Sequence, residues 1–532
     1  MRKCLEKERR RRYQTAGELV KDLSEIKRDQ GQLEPRTKRE RRSPLAIGFG
    51  AAVLFALLLT VAALLYTPFH AVEVASIAVL PLTDLSGERA DDYFADGMTV
   101  ALINELGHVG ELRVISPTSA MRYKDSQETL PQIARELNVD AIVEGTVLRS
   151  GARVRTAVKL THASTGLQLW ADSYERDARD VITMQQQVVR DIVGEIRVKL
   201  TPREQSRLTS ARPINPEAHE AYLKGRQHLD KRNVEAIKTS IGYFNEAVAK
   251  DPGFALPQAA LADAYFALGT VNLSALPPLE ALERGRAAAL RAIELDGTLA
   301  EGHTALAVIK FYSWEWAEAE EGFNRALELN PNYAPAHSWY AIYSAARGRL
   351  GGAIARIYRA RDIDPLSPHI AQNAGWILHY ARHYDEAIEQ YQRALELDPN
   401  FLFARLRLAK VYSRKGMYDE TTAQLARINT LPERTPAVLA ELGYTYGVSG
   451  RKREAEQILK HLMEMREQKY VNPSHIANVH IGLGHKEQAF EWLEKAYREH
   501  SYGTVFLKMD TEFDPIRNDP RFTQLLQRVG LD

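Results

Sequence analysis

Cysteine occurs once in 532 residues, as Cys4. This excludes a disulfide within the chain and a cysteine-based zinc site. Charge imbalance is also missing: 70 Lys and Arg stand against 69 Asp and Glu. No domain-wide basic excess draws the chain to nucleic acid. The sequence has no H-E-x-x-H, no G-x-x-x-x-G-K-[ST] and no G-x-S-x-G. A metalloprotease helix, a phosphate-cradling loop and a nucleophile elbow are therefore not encoded. "HIANVHIGLGH" does not supply a metal site. His475 and His480 fall about 140° apart around a helix, and His485 follows the turn glycine Gly484. No catalytic, metal or cofactor site is expected.

Charge is missing in one more place. From Leu45 to Tyr66 the chain runs 22 residues without an ionisable acid or base, in "PLAIGFGAAVLFALLLTVAALLY" (Pro44–Tyr66). That length crosses a hydrocarbon core as a helix. The run starts too late and is too long for a signal peptide. Residues 1–43 carry 15 Lys and Arg against 8 Asp and Glu, and the first basic residue after the run is Arg89. The positive-inside rule then places residues 1–43 in the cytoplasm and everything after Thr67 outside it. The expected location is the inner membrane, crossed once by residues 44–67.

Strands and helices follow from Ala75. "SIAVLPL" is a buried-strand signal, and Phe94, Met98, Leu102 and Leu106 make one helical stripe. Three strands come in succession at "AIVEGTVLRS", "RVRTAVKLTHA" and "LQLWADSYERD", joined by hairpin turns at "SGA" and "STG". The order β-α-β-α-β-β-β-α implies a mixed sheet with helices packed on it. Blocks from "SIAVLPLTDLSGERADDYFADGMTVALINELGHVGELRVISPTSAMRYK" to "LQLWADSYER" resemble the FlgO/CsgG-like (TolB-N-terminal-like) domain over residues 73–205. The resemblance brings no catalytic residues. Asp91, Asp92 and Asp96 are read as acids favouring a helix N-terminus rather than as metal ligands.

Beyond Pro216 the chain repeats itself. Ala292, Ala326, Ala360, Ala394, Ile428, Leu462 and Ala496 recur every 34 residues. A second ladder holds Ala319, Ala353, Ala387, Thr421, Ala455 and Ala489, and a third holds Pro331, Pro365 and Pro399. Gly348, Gly416, Gly450 and Gly484 mark an internal turn in the same register. This period and this placing of Ala, Gly and Pro resemble the tetratricopeptide repeat. The resemblance implies a mainly α fold: an α-solenoid of about eight repeats over residues 217–499, preceded by the small α/β domain and one transmembrane helix. Residues 500–532 are expected to be a capping region covering the last apolar face.

The inner helices of such a solenoid would present Ser338, Gln372, Trp376, His379, Lys410, Ser413 and Tyr444 to a concave surface. A protein or peptide ligand is the expected partner there, with the two aromatics as anchors. The sequence leaves the oligomeric state open. Finally, "CLEKERRRRYQTAGELVKDLSEIKRD" (Cys4–Asp29) resembles the last two helices of a bacterial protein-kinase C-lobe. Leu5, Glu6, Lys7, Arg12, Tyr13, Gln14, Thr15, Ala16, Glu18 and Leu19 match that pattern, while Glu8 and Arg9 depart from it. No A-P-E, H-R-D, D-F-G or strand lysine accompanies them, so phosphoryl transfer by this chain is not expected. The expectation is a single-pass membrane protein whose repeats bind or sense a partner. The alternative is a piece of a membrane Ser/Thr kinase with its catalytic domain upstream.

Overall fold

The computed structural model describes residues 74–86, 92–151, 153–177, 180–207, 214–231, 233–270, 275–428 and 435–532. The kinase-like stretch and the apolar run Pro44–Tyr66 lie outside the described residues. Among those described, no helix is long and apolar enough to cross a membrane.

The elements of the first domain are, in chain order, β1 (Ser76–Val79), β2 (Thr83–Asp84), α1 (Asp92–Gly107), β3 (Arg113–Val114), α2 (Pro117–Ala120), α3 (Leu130–Leu137), β4 (Ala141–Ser150), β5 (Arg153–His162), β6 (Gln168–Asp177), α4 (Val181–Glu195) and α5 (Pro202–Arg207). Among the described residues the strands form one sheet in the order β3-β1-β4-β5-β6, with β2 beside β4. β1 runs parallel to β3 and β4, which requires helical crossovers and explains α1 and α3. β4, β5 and β6 are antiparallel neighbours. The two-residue period of a strand divides the core cleanly. Ile77 and Val79 face Met98, Leu102 and Leu106 of α1 and Val188 and Ile192 of α4. Ala78 and Leu80 face the other way, onto Ile133, Ala134 and Leu137 of α3.

Among the described residues sixteen further helices form eight antiparallel pairs. They are α6 (Pro216–Leu229) with α7 (Val234–Lys250), α8 (Ala255–Gly269) with α9 (Pro278–Leu295), α10 (Ala300–Tyr312) with α11 (Trp316–Leu329), and α12 (Ala334–Ala346) with α13 (Leu350–Ile363). The remaining four are α14 (Pro368–Tyr380) with α15 (Tyr384–Leu397), α16 (Leu402–Arg414) with α17 (Tyr418–Ile428), α18 (Pro436–Val448) with α19 (Lys452–Gln468), and α20 (Pro473–Leu483) with α21 (Lys486–Arg498). A last helix, α22 (Pro520–Val529), follows two 3-10 turns at Tyr502–Phe506 and Thr511–Ile516. The mainly helical repeat solenoid with a small sheet before it is thus observed.

The alanine ladders are the seam of each pair. Ala319 and Ala326, Ala353 and Ala360, and Ala387 and Ala394 are fully buried. On α13 the buried set is Ala353, Ile357, Ala360 and Ile363, a single stripe on an otherwise solvated helix. The first helices of the central pairs differ. On α12 and α14 ten of thirteen residues are buried, all round the axis. Small residues allow this closeness. A Cβ on Gly447 of α18 would lie 2.4 Å from the backbone of Gly482 on α20.

The sheet domain docks on the turns that join successive repeats. The Asn332 side chain donates to the carbonyls of Gly107 (3.1 Å) and Leu112 (2.7 Å) and accepts from the Val114 amide (3.3 Å). Ser119 donates to Asp364 (2.5 Å) and accepts from the Leu366 amide (2.9 Å). Asn330, Asp364 and Asp398 hold the same register, 34 residues apart. Asn330 and Asp398 close their own turns, accepting from the amides of Asn332 and Asn400. Asp364 is turned to the neighbouring domain instead.

Candidate binding groove

All seven residues expected on the concave face do stand on first helices: Ser338 on α12, Gln372, Trp376 and His379 on α14, Lys410 and Ser413 on α16, Tyr444 on α18. They do not form an open surface. Trp376 is 8% exposed, Tyr444 5% and His379 2%. The C-terminal segment lies on three of them, Trp376, His379 and Lys410. Residues 500–532, expected as a capping region, do more than cover the last apolar face. The last helix, α22, packs Phe522 and Leu525 into one cluster with Phe490 and Leu493 of α21, joined by Leu507, Phe513 and Ile516. The stretch before it runs into the groove.

Its path can be followed by contacts. Ser501 donates to Asn472 (2.5 Å) at the start of the last repeat. Tyr502 stacks on Phe266 of α8 with ring centroids 5.3 Å apart and planes 13° apart. It also lies 4.8 Å from Tyr312 of α10. Phe506 enters an aromatic nest: Trp376 at 4.7 Å, Tyr380 and Phe311 each at 6.0 Å. Separations in this range, with tilted planes, suit the quadrupoles of the rings. Beyond it the chemistry changes. Thr511 hydrogen-bonds His379 Nε2 at 3.0 Å. Glu512 takes Lys410 Nζ on one oxygen and Asn478 Nδ2 of α20 on the other, with Arg414 Nη2 at 3.5 Å. Asp514 receives both Nη1 (2.5 Å) and Nη2 (2.9 Å) of Arg382, and Trp316 Nε1 donates to the Val529 carbonyl (2.8 Å).

The charged centre is dry. The side chains of Glu512 and Glu441 are 3% and 1% exposed. Glu441, on α18, lies 3.8 Å from Lys410 Nζ and 4.0 Å from Arg414 Nη2. Burial pushes its carboxyl up to about 8, against the pull of Arg414 and Lys410. Burial acts on Glu512 in the same sense, but Lys410 and Arg414 prevail and hold it well below the carboxylate range. Burial thus favours the protonated form of Glu441, while the two cations favour the ionised form of Glu512. Arg414 also lies 3.9 Å over the Tyr444 ring. His379 is held neutral, first by burial and then by Arg414 and its cationic neighbours.

Of the seven residues, Trp376, His379 and Lys410 touch the segment. Ser413 meets Thr445 on the next inner helix (3.2 Å), and Ser338 accepts from Asn373 (3.0 Å), so both join helices to one another. Sequence reasoning missed Arg382, Arg414, Glu441, Asn478 and the whole occupying segment. One signal was available. In six of the eight repeats the internal turn takes a left-handed residue, at Trp314, Gly348, Arg382, Gly416, Gly450 and Gly484, with φ between 65° and 83°. Glycine adopts this backbone freely and side chains do not. The two non-glycines are residues that hold the C-terminal stretch. Arg382 binds Asp514, while Trp314 stacks on His500 at 4.0 Å and donates to Thr504 at 3.3 Å.

A family described as TPR repeat matches residues 377–416, the end of α14 through α16. Within that stretch the chain matches a tetratricopeptide repeat. Over 245 residues it is 33% identical to "Putative adenylate cyclase 3" of Rhizobium meliloti strain 1021, which covers 46% of this chain and 42% of that protein. Over 143 residues it is 26% identical to anaphase-promoting complex subunit 3 of Schizosaccharomyces pombe, covering 26% of this chain and 21% of that one. The chain thus spans less than half the length of these curated relatives. Among solved structures, a thermophilic TPR protein of Thermus thermophilus aligns with 36% of this chain and 98% of its own, at 19% identity and a TM-score of 0.31.

Proposed function

We propose that this chain is the non-catalytic, membrane-anchored interaction and sensing part of a bacterial envelope protein. The carrying observation is the fusion of a repeat solenoid to a small α/β domain through buried hydrogen bonds at Asn332 and Ser119. Such a junction lets an event on the repeats reach the domain nearest the membrane. The anchor is Pro44–Tyr66, and the basic flank before it sets the orientation, with the α/β domain of FlgO/CsgG type and the repeats outside the cytoplasm. The likeness to a relative named for adenylate cyclase supports a module carried by larger signalling proteins. Protease treatment of intact spheroplasts tests the topology: the repeats should be cut and residues 1–43 spared. The opposite pattern inverts it. Chemical cross-linking in native membranes tests the interaction, which requires adducts between residues 216–532 and a protein other than this chain. None forming would remove it.

A second reading rests on the ten matched residues between Leu5 and Leu19. In it the chain belongs to a membrane Ser/Thr protein kinase and follows the catalytic lobe. DNA sequence ahead of the Met1 codon decides. In-phase H-R-D and D-F-G codons support a kinase, and an in-phase stop rules it out.

A further inference from the structure

The segment that fills the groove has the properties of a bound ligand more than those of a ninth repeat. It follows the last helix pair, which closes at Arg498, and holds two 3-10 turns without a 34-residue counterpart. Its contacts are spread along the inner helices from Phe266 on α8 to Asn478 on α20. Toward its far end sits a charge cluster around Glu512, where an element needed only for burial would be apolar. Buried ion pairs add little to stability over apolar packing, but they discriminate sharply among partners. The host has also adapted to it. The left-handed turn residue is glycine at four repeats and becomes Trp314 and Arg382 where the segment is gripped, a local strain retained for a contact.

We propose that residues 501–517 are a built-in competitor for the groove, and that the external partner is an acidic peptide carrying an aromatic residue six positions before a glutamate. The aromatic would take the nest of Trp376, Tyr380 and Phe311 that Phe506 fills. The glutamate would replace Glu512 between Lys410, Arg414 and Asn478. Without a carboxylate there, Lys410 and Arg414 would be left with Glu441 of the host, 3.8 Å and 4.0 Å away. Binding therefore proceeds by exchange of one acidic segment for another, and the groove is closed until the partner displaces the chain's own tail.

This rests on the reading of the repeats as an interaction module and is tested separately from it. Hydrogen exchange is measured on the full chain in detergent. Amides of 502–516 should exchange at least tenfold faster than those of α14, as a unit that opens without the solenoid. Equal rates would show a permanent strut and overturn the proposal, leaving other faces of the module available to partners. A fluorescent peptide of residues 501–519 is the second probe. It should bind the full-length Glu512→Gln chain at least tenfold more tightly than the wild type, and its own Glu→Gln version should lose that gain. Equal binding to both chains, or none, also overturns it. If Glu512→Gln does not fold, the exchange measurement on the wild type still decides.

Discussion

The two ends of the groove-filling segment meet their host with opposite chemistry. Around Phe506 the contact is aromatic and non-directional, and burial supplies the stabilisation. Around Glu512 it is a largely buried knot in which Glu512, Glu441 and Asp510 meet Lys410 and Arg414, and desolvation offsets most of the Coulomb attraction. The difference separates holding from choosing. The aromatic end fastens the chain into the solenoid, while the charged end dictates what can lie there. A third contact, Arg382 with Asp514, is about half exposed and is screened by water.

Substitutions that attack one end at a time sharpen this contrast. The largest effect is expected from Phe506→Ala, which empties the nest. Chemical denaturation should show a loss of about 3–5 kcal/mol, against under about 1.5 kcal/mol for Phe506→Leu. A loss below about 1 kcal/mol would mean that the aromatic end does not fasten the segment. Lys410→Met comes next. It leaves Glu512 with Arg414 and Asn478 alone and should cost about 3 kcal/mol. Adding Glu512→Met to it should recover most of that loss, because an apolar pair no longer needs desolvated charge. A double variant as unstable as the single one would contradict the account of the knot.

The effect of pH separates Glu441 from its surroundings. Its folded carboxyl titrates near 8 and its ordinary value is 4.5, so between these values the folded state binds a proton that the unfolded state lacks. The contribution of Glu441 to stability should fall as pH rises from about 4.5 to 8 and then level. Buried histidines act on the other side. Burial lowers His219 to about 4 and His475 to about 3, from 6.5, so acidification below 6.5 also destabilises. Glu441→Gln should abolish the decline between pH 6.5 and 8 and keep the acid limb. Thermal midpoints that still fall across that interval in the variant would assign the slope elsewhere. The smallest effect is expected at the exposed end: Arg382→Ala should cost only about 0.2–1 kcal/mol, and a larger loss in a double-mutant cycle with Asp514 would make that pair part of the fastening.

Much of this was legible in the sequence because it is local or periodic. The 34-residue ladders located the pair seams at Ala353 and Ala360, and alternating "SIAVLPL" divided its side chains between two faces of the sheet. The seven residues chosen by register stand on first helices, and three of them, Trp376, His379 and Lys410, touch the segment. The occupant was not legible. Residues 501–517 have no period, and their partners lie far off in the chain, 132 positions for His379 and Thr511. A hydrophobic pattern reports burial but not against what. The docking through Asn332 was hidden for the same reason, since one asparagine in a repeat turn looks like any other. What could have pointed to the tail was the missing glycine at Trp314 and Arg382, where a repeat rule gives way to a contact.

The central claim is that the chain's own C-terminal stretch fills its solenoid. Photo-cross-linking from benzoylphenylalanine placed at position 506 of the full chain tests it most directly. The account predicts intramolecular adducts on the peptides of Ala300–Tyr312 and Pro368–Tyr380, whose Tyr312 and Trp376 rings lie 6.2 Å and 4.7 Å from Phe506. Adducts absent from both peptides, with the probe reacting only with solvent or other proteins, would contradict it.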